Sequence, residues 1–232
     1  MINDRKQLAD VYQQTIDIVQ EGHYTSENGE EVKLPDNTKM LKGSRFYTKP
    51  LDASNIPTLA DGSTKIIVKN DDSIHCGHLL QQEGYNPVVL NLASRRNPGG
   101  GVKNGSRAQE ESLFRSTNLF LSMYRYAEYA EDYGLEKSKF QYPMPVRFGG
   151  IYVPYATMLR IGLLNGHDSI VLGAFGCGAF HNPPKHIARL FHEVINEKEF
   201  KDKYKLIAFA ILEDHNSPRG GNLQPFIEEF KS

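Results

Sequence analysis

Three consecutive glycines followed by a pair of glutamates are the residues of this sequence best suited to chemistry. Gly99, Gly100 and Gly101 carry no side chains, so a phosphate or a ribose can approach their main-chain N–H groups closely. Glu110 and Glu111 follow after a short loop. Cleavage of a glycosidic bond requires protonation of the leaving oxygen and then activation of water, and one carboxyl group can do both. The spacing therefore predicts an acid/base site beside a sugar.

Each of these signals also has an ordinary structural explanation. A run of glycines is often a flexible turn, and paired acids at a helix start are stabilised by the helix dipole without any further role. The short tether between them favours the functional interpretation. The dipole lowers the pKa of such a pair, whereas burial and the neighbouring carboxylate raise it for one member. We therefore expect one glutamate protonated and one charged when substrate is bound.

A second glycine loop, Gly176-Cys177-Gly178, lies between a predicted strand and a helix starting near Pro183 and Pro184. Such a junction binds anions through oriented N–H groups and the helix dipole, although a tight turn needs the same small residues. Neither loop has the spacing GxxxxGK[ST] or GxGxxG. Nucleoside triphosphate hydrolases and dinucleotide-dependent dehydrogenases are therefore disfavoured.

The other candidate residues are better explained structurally. His75 and His78 lie near Cys76, but no third ligand at suitable spacing supports a metal site. Cys177 has no histidine in a recognisable protease pattern, so we expect a small buried loop residue. The segment Glu213-Asp214-His215 is typical of a solvated turn. Partial burial explains three tyrosines on one predicted helix, Tyr124, Tyr126 and Tyr129.

Strand and helix patterns alternate along the chain. Four apolar runs without strict alternation are typical of strands covered on both faces: 65–69, 87–93, 169–174 and 205–212. Amphipathic helical patterns separate them: 74–83, 109–128, 156–165 and 184–197. The order predicts an α/β fold with three α/β/α layers around a mixed, largely parallel sheet, whose ligands sit beyond the carboxyl ends of the strands.

The N-terminal part is predicted to be a helical extension covering residues 1 to about 43. Apolar residues recur every three or four positions between Asn3 and Glu21, and Gly22 ends the helix. The stretch from Tyr24 to Thr38 has no periodicity and is expected to be an exposed excursion. We interpret residues 1–232 as a single domain.

Composition narrows the class of protein. Hydrophobic residues make up 39% and charged residues 24%, with a net charge of -1, so no general attraction to nucleic acid or membrane is expected. Two widely separated cysteines favour a reducing compartment. The N-terminus has no apolar stretch typical of a secretory signal. These features predict a cytoplasmic protein.

The sequence resembles the bacterial-type poly(ADP-ribose) glycohydrolases, a catalytic branch of the macrodomain superfamily. The resemblance rests on Leu90-Asn91-Leu92-Ala93-Ser94, Asn97 to Gly101 and Gln109-Glu110-Glu111-Ser112-Leu113. Later segments are also similar: Asn165 to Asp168, Gly173 to Phe180 and Phe209 to Asp214.

The resemblance implies a reaction and a set of roles. Glu111 would be the general acid/base, with Glu110 holding ribose hydroxyls. Ribose and diphosphate would contact residues of the first glycine segment, namely Asn97, Gly99, Gly100, Gly101, Val102 and Gln109. The diphosphate loop would comprise Gly176, Cys177, Gly178 and Ala179, and Phe180 would pack against adenosine. Poly(ADP-ribose) or an ADP-ribosylated protein would be the substrate and ADP-ribose the product, with no metal or other cofactor.

Two alternatives remain open on the sequence. The chain departs from the family after Tyr152, where Val153-Pro154-Tyr155 leads almost directly into a predicted helix instead of a further strand. A shorter sheet would favour a non-catalytic ADP-ribose-binding module. An enzyme of the same fold that removes single ADP-ribose groups or deacylates an ADP-ribose ester is the other alternative. The intact Glu110-Glu111 pair favours catalysis over binding alone.

Overall fold

The computed structural model describes residues 4–26, 28–52, 56–145, 149–153, 163, 165–178, 181–213, 217 and 220–231. The chain forms two compact units. The first unit comprises Met1–Pro50 and Ala93–Pro154, and the second comprises Leu51–Leu92 and Tyr155–Ser232.

A four-stranded parallel sheet is the centre of the second unit. Its strands are β4 (Lys65–Lys69), β5 (Pro87–Val89), β7 (Ser169–Leu172) and β8 (Leu206–Ala210), in the order β4-β8-β7-β5. The helices of this unit are α3 (Ser73–Gln82), α6 (Pro184–Ile195) and α7 (Leu223–Glu229). All four predicted strands are thus confirmed. Each structural strand lies within its predicted range, and the described strands of this sheet are all parallel.

Helices cover both faces of this sheet. Ile170, Leu172, Ile207 and Phe209 pack in one core cluster with residues of α6 and α7. The alternate residues Val171, Leu206, Ala208 and Ala210 pack in a second cluster with Cys76 and Leu80 of α3. Strand side chains point alternately to the two faces, so a strand covered on both sides must be apolar throughout. The predicted three-layer arrangement is therefore confirmed.

Helix α1 (Arg5–Glu21) opens the first unit. The side chain of Asp4 caps it by accepting the N–H of Lys6, and Gly22 ends it in the left-handed region with φ 78°. The next residues form an antiparallel hairpin, β1 (His23–Thr25) with β2 (Glu31–Lys33). The predicted excursion is largely exposed, as expected, but the sequence did not reveal the hairpin, because each strand has only 3 residues, too few to show a period-2 apolar pattern.

The rest of the first unit is built from short elements. They are α2 (Thr38–Gly43), β3 (Arg45–Tyr47), a 3-10 turn at Val102–Asn104, α4 (Gln109–Ser116), α5 (Leu119–Tyr124), a second 3-10 turn at Ala130–Tyr133 and β6 (Gly150–Tyr152). Strands β3 and β6 pair antiparallel, with Arg45 opposite Tyr152.

The prediction of one long helix from Gln109 to Glu128 is wrong, because the chain breaks at Thr117. This residue has an extended backbone with φ -145° and ψ 169°. Its hydroxyl donates to the carbonyl of Leu113 and accepts the N–H of Leu119, at 2.8 Å and 3.2 Å. A threonine hydroxyl that satisfies main-chain groups in this way competes with helix continuation.

The predicted helix over 156–165 lies outside the described residues, except for Leu163 and Asn165. The shortened connection after Val153 also lies outside them. Within the described part of the chain, the longest helix has 17 residues, and no helix is both long and apolar enough to cross a bilayer.

Candidate active site

Glu110 is a buried carboxylate bound through both of its oxygens. Its side chain is 3% exposed. Oε2 accepts the N–H of Ser94 at 2.7 Å, and Oε1 accepts the N–H of Gly99 at 3.0 Å. Hydrogen bonds from N–H donors to an ionised carboxylate are stronger than those between neutral groups. Glu110 therefore connects the first turn of α4 to both ends of the segment from Ser94 to Gly99.

Glu111 is buried beside Glu110 but is bound through one oxygen. Its side chain is 7% exposed, and Oε1 accepts the N–H of Gly101 at 2.9 Å. Oε2 is also buried and has no hydrogen-bond partner among the residues that the structure describes. The main chain thus holds one of the two carboxyl oxygens of Glu111 in place.

The three glycines are needed for three different contacts. A Cβ on Gly100 would lie 2.5 Å from Oε1 of Glu111, and one on Gly101 would lie 2.3 Å from Oγ of Ser106. A Cβ on Gly99 would lie 2.7 Å from the ring of Phe114. Gly99 and Gly100 also have positive φ, 80° and 54°, a region that glycine enters without steric cost. Any side chain here would displace the carboxyl group or the core beneath it.

The N–H groups of these glycines are donated within the protein. Those of Gly99 and Gly101 bind the two glutamates, and that of Gly100 binds the carbonyl of Asn97 at 3.0 Å. The sequence predicts that these groups bind a ligand, whereas in the structure they position the carboxylates. A loop of ten residues returns the chain on itself, so acid and glycine meet at hydrogen-bond distance.

The other predicted ligand contacts of the first unit lie around this loop. Asn97 is exposed at its start and its N–H donates to Oγ of Ser94 at 3.2 Å. Val102 lies beneath it, 1% exposed, with its N–H donated to the carbonyl of Gly99. Gln109 is half-buried at the first position of α4.

Arg115 supports the far end of the loop, and the sequence analysis missed it. Its Nη1 donates to the carbonyl of Ser106 at 2.6 Å, and Ser106 in turn packs against Gly101. Burial lowers the pKa of the guanidinium, and the charge of Glu111 opposes that shift. Arg115 lies four residues after Glu111, one helical turn away, so helical spacing alone could have indicated it.

Tyr129 lies close enough to Glu110 to be affected by its charge. Burial, Tyr133 and the charge of Glu110 raise the pKa of Tyr129 to about 12. Tyr124 and Tyr126 are 0% and 3% exposed and Tyr129 is half-buried, so the predicted burial is confirmed, but only Tyr124 lies in a helix, because α5 (Leu119–Tyr124) ends there. Their burial excludes them as a platform for stacked bases.

The second predicted glycine loop belongs to the second unit. Gly176 has φ 69°, and its carbonyl accepts the N–H of Asn182 at 3.0 Å. Cys177 is 1% exposed, and burial raises the pKa of its thiol to about 11. The prediction of a small buried residue is confirmed. A thiol with a raised pKa stays protonated, so it is a poor nucleophile. A Cβ on Gly178 would meet open space, and Ala179 and Phe180 lie outside the described residues.

The acidic segment at Glu213 and the histidine pair at His75 and His78, both considered as candidate sites, make structural hydrogen bonds. Glu213 caps α7, because its Oε1 accepts the N–H of Asn222 at 2.6 Å and that of Leu223. His75 pairs with Asp71 at 2.8 Å, and His78 contacts Gln82 at 3.0 Å. Asp214 and His215 lie outside the described residues. Within the described part of the chain, no group of three or more histidine, cysteine or acidic side chains is arranged to hold a metal ion.

Solved structures share this fold. Poly(ADP-ribose) glycohydrolase from Thermomonospora curvata bound to the inhibitor ADP-HPD has a TM-score of 0.73 and 22% sequence identity, covering 97% of this chain and 100% of that one. Poly(ADP-ribose) glycohydrolase from Deinococcus radiodurans in complex with ADP-ribose has a TM-score of 0.61 and 24% identity, covering 85% of this chain and 98% of that one. No curated protein matches significantly.

A protein-family model covers the part of the chain that contains the candidate site. The model of the microbial-type PARG catalytic domain matches residues 12–160, which include both glutamates and the three glycines. This match spans more than half of the chain. The chain therefore belongs to the microbial-type PARG catalytic domain family, a family of glycosidic hydrolases.

Proposed function

We propose that the protein is a poly(ADP-ribose) glycohydrolase. It hydrolyses the O-glycosidic ribose–ribose bond at a chain terminus and releases ADP-ribose, with Glu111 as the general acid/base. The observation that carries this proposal is the difference between the two oxygens of Glu111. Oε1 is fixed by the N–H of Gly101, whereas Oε2 is buried and has no partner among the described residues.

The reaction proceeds through proton transfers at a single carboxyl group. Glu111 donates its proton to the bridging oxygen as the bond from that oxygen to the anomeric carbon breaks. Water then adds to the anomeric carbon and gives a proton back to Glu111. Atoms and charge balance, and the carboxyl group ends in its starting state.

The neighbouring groups suit supporting roles. Glu110 is fixed by two N–H donors, so it can hold ribose hydroxyls without moving. The loop from Gly99 to Gly101 keeps the sugar close because no side chain intervenes. Asn97, Val102 and Gln109 border this sugar. The D. radiodurans relative binds ADP-ribose, which is consistent with this assignment.

Glu111→Gln tests the assignment, because glutamine keeps an oxygen for Gly101 but cannot supply the proton. We expect release of ADP-ribose from poly(ADP-ribose) to fall by about 100-fold or more. Affinity for ADP-ribose should stay within about tenfold, since the acid acts mainly in the transition state. Glu128→Gln, an exposed glutamate of the same unit, is the matched control and should retain wild-type activity.

Three outcomes would contradict the proposal. An active Glu111→Gln protein would remove Glu111 from its role. A wild-type protein that binds ADP-ribose without cleaving polymer would be a binding module. Release of ADP-ribose only from mono-ADP-ribosylated protein would show a different hydrolase of the same fold.

A further inference from the structure

Tyr142 is held beside the segment that binds Glu110, although it lies far from Glu110 in the sequence. Its N–H donates to the carbonyl of Tyr126 at 2.8 Å. Two residues later, Met144 and Arg95 are joined by two hydrogen bonds, one of 2.9 Å from the N–H of Met144 and one of 3.0 Å from Nη1 of Arg95. Arg95 directly follows Ser94, whose N–H binds Glu110. The backbone around Tyr142 is therefore fixed next to the acidic pair.

The phenol oxygen of Tyr142 is buried and has no hydrogen-bond partner among the described residues. Buried hydroxyl groups in folded proteins are almost always paired, because an unpaired one loses its hydrogen bonds to water and gains nothing. The hydroxyls of two other buried tyrosines of this unit, Tyr12 and Tyr124, pair with each other at 2.6 Å. The unpaired phenol therefore distinguishes Tyr142 from the tyrosines that only fill the core.

The phenol is a hydrogen-bond donor at any ordinary pH. Burial raises its pKa, and the negative charge of Glu110 raises it further. Both oxygens of Glu110 already accept main-chain N–H groups, and neither contacts the phenol. The acceptor that matches this donor is a neutral oxygen, such as a sugar hydroxyl placed against the two glutamates.

We propose that Tyr142 is a substrate-positioning residue that donates a hydrogen bond to a hydroxyl oxygen of the sugar held against Glu110 and Glu111. This inference rests on the proposed function, because it requires a sugar at this site. Tyr142 belongs to neither the glycine loop nor α4, so it contacts the sugar from a different part of the chain.

Tyr142→Phe tests the proposal, with Tyr12→Phe as the matched control. Removal of an unpaired buried hydroxyl should leave the Tm of the ligand-free protein unchanged or raise it, while the Kd for ADP-ribose or the KM for polymer rises about three- to tenfold. Tyr12→Phe breaks a paired contact, so it should lower the Tm and leave the Kd unchanged. The pH–rate profile of Tyr142→Phe should keep its shape, because the phenol transfers no proton.

The outcomes separate this inference from the proposed function. If wild-type protein cleaves polymer and Tyr142→Phe binds ADP-ribose as tightly as wild type, the role of Tyr142 is overturned and the function stands. A Tm loss like that of Tyr12→Phe, without weaker binding, would show a structural role and overturn it as well. If wild-type protein neither binds ADP-ribose nor cleaves polymer, both proposals fail.

Discussion

Glu110 and Glu111 are neighbours in sequence, yet the structure gives them different environments. Glu110 accepts one main-chain N–H on each oxygen, so neither its position nor its orientation can vary. Glu111 accepts one, which fixes its orientation but leaves Oε2 available. The roles proposed for these two side chains, holding a sugar and exchanging a proton, are assigned from this difference in main-chain donors.

Among the three glycines, Gly100 is the one whose added Cβ would come closest to the carboxyl group of Glu111. Alanine at this position would have to adopt a positive φ, and its Cβ would lie 2.5 Å from Oε1 of Glu111. The carboxyl group would therefore have to shift. We expect Gly100→Ala to lower kcat/KM by about 100-fold, since small misplacements of a catalytic group have effects of that size. Steady-state kinetics on poly(ADP-ribose) would measure this loss.

Gly134→Ala is the control for Gly100→Ala. Gly134 has φ 68°, and no described residue lies within 4 Å of its added Cβ, so this variant suffers the same type of backbone strain without touching the site. Gly134→Ala should lose about 1 kcal/mol of unfolding free energy and Gly100→Ala at least as much, but only Gly100→Ala should lose activity. Equal loss of activity in both would show that backbone strain, and not the position of Glu111, limits the reaction.

Helix α4 places both acids because of where it begins and ends. Glu110 and Glu111 lie in its first turn, where the helix dipole stabilises negative charge. Its last turn carries Arg115, which holds the loop through the carbonyl of Ser106, and Thr15 of α1 donates to the carbonyl of Arg115 at 2.6 Å. The break at Thr117 ends the helix after eight residues. Helix α4 therefore carries the two acids in its first turn and, in its last turn, the arginine that supports the glycine loop.

The 3-10 turn at Val102–Asn104 directly follows the glycines and is fixed by two contacts. A Cβ on Gly105 would lie 1.9 Å from the carbonyl oxygen of Arg5, so α1 packs directly on this turn. Nζ of Lys103 lies over three tyrosine rings, 5.4 Å from the centroid of Tyr124, 4.5 Å from that of Tyr129 and 5.2 Å from that of Tyr133. Such contacts attract the cation to the faces of the rings.

Lys103→Met tests the contribution of this cluster to stability. Methionine keeps the length of the side chain and removes the charge, so we expect a loss of about 0.5–1 kcal/mol in unfolding free energy for an exposed cation–π site. Lys139→Met is the matched control, because Nζ of Lys139 lies over one ring only, 5.3 Å from the centroid of Phe140. Chemical denaturation would measure both, and a larger loss for Lys139→Met would contradict the role of the three-ring cluster.

At the scale of the whole molecule, the parallel sheet of the second unit is covered by helices on both faces. Every residue of β7 and β8 is buried, because α3 covers one face and α6 and α7 cover the other. His167 lies just before β7 and is 9% exposed. Burial lowers its pKa, although the carbonyl of Asn86 and the charge of Asp168 act in the opposite direction.

This lowered pKa predicts a pH-dependent stability. Above the unfolded value of about 6.5, the imidazole is neutral in both states and contributes no pH dependence. Below it, the unfolded chain takes up a proton that the folded protein resists, so stability falls until the pH reaches the lower folded pKa. We expect His167→Gln to reduce this acid loss in denaturation curves recorded between about pH 7.5 and about pH 5.5.

His186→Gln provides the comparison for that experiment. His186 is exposed near the start of α6, whereas His167 is buried, so His186→Gln is the matched control substitution. An acid loss of stability that is the same in wild type, His167→Gln and His186→Gln would show that His167 is not one of the groups that cause it.

Local patterns in the sequence determined the α/β class, the four strands of the second unit and the pairing of glycine loop with acids. Lys65–Lys69 and Ser169–Leu172 were predictable because a strand covered on both faces is continuously apolar. Gly99 to Gly101 and Glu110-Glu111 were predictable because they are close in sequence, so a short loop must keep them close in space. The resemblance to a known family rests on these same segments.

Only the tertiary structure decided how the carboxyl groups are held and what else surrounds them. The hydrogen bond from Thr15 to the carbonyl of Arg115 and the unpaired phenol of Tyr142 depend on how distant parts of the chain meet, which periodicity does not encode. Tyr142 in particular reaches the site through contacts between residues far apart in the chain. Sequence spacing predicts only contacts made within one element or across one short loop, because every longer-range contact depends on how the chain folds back on itself.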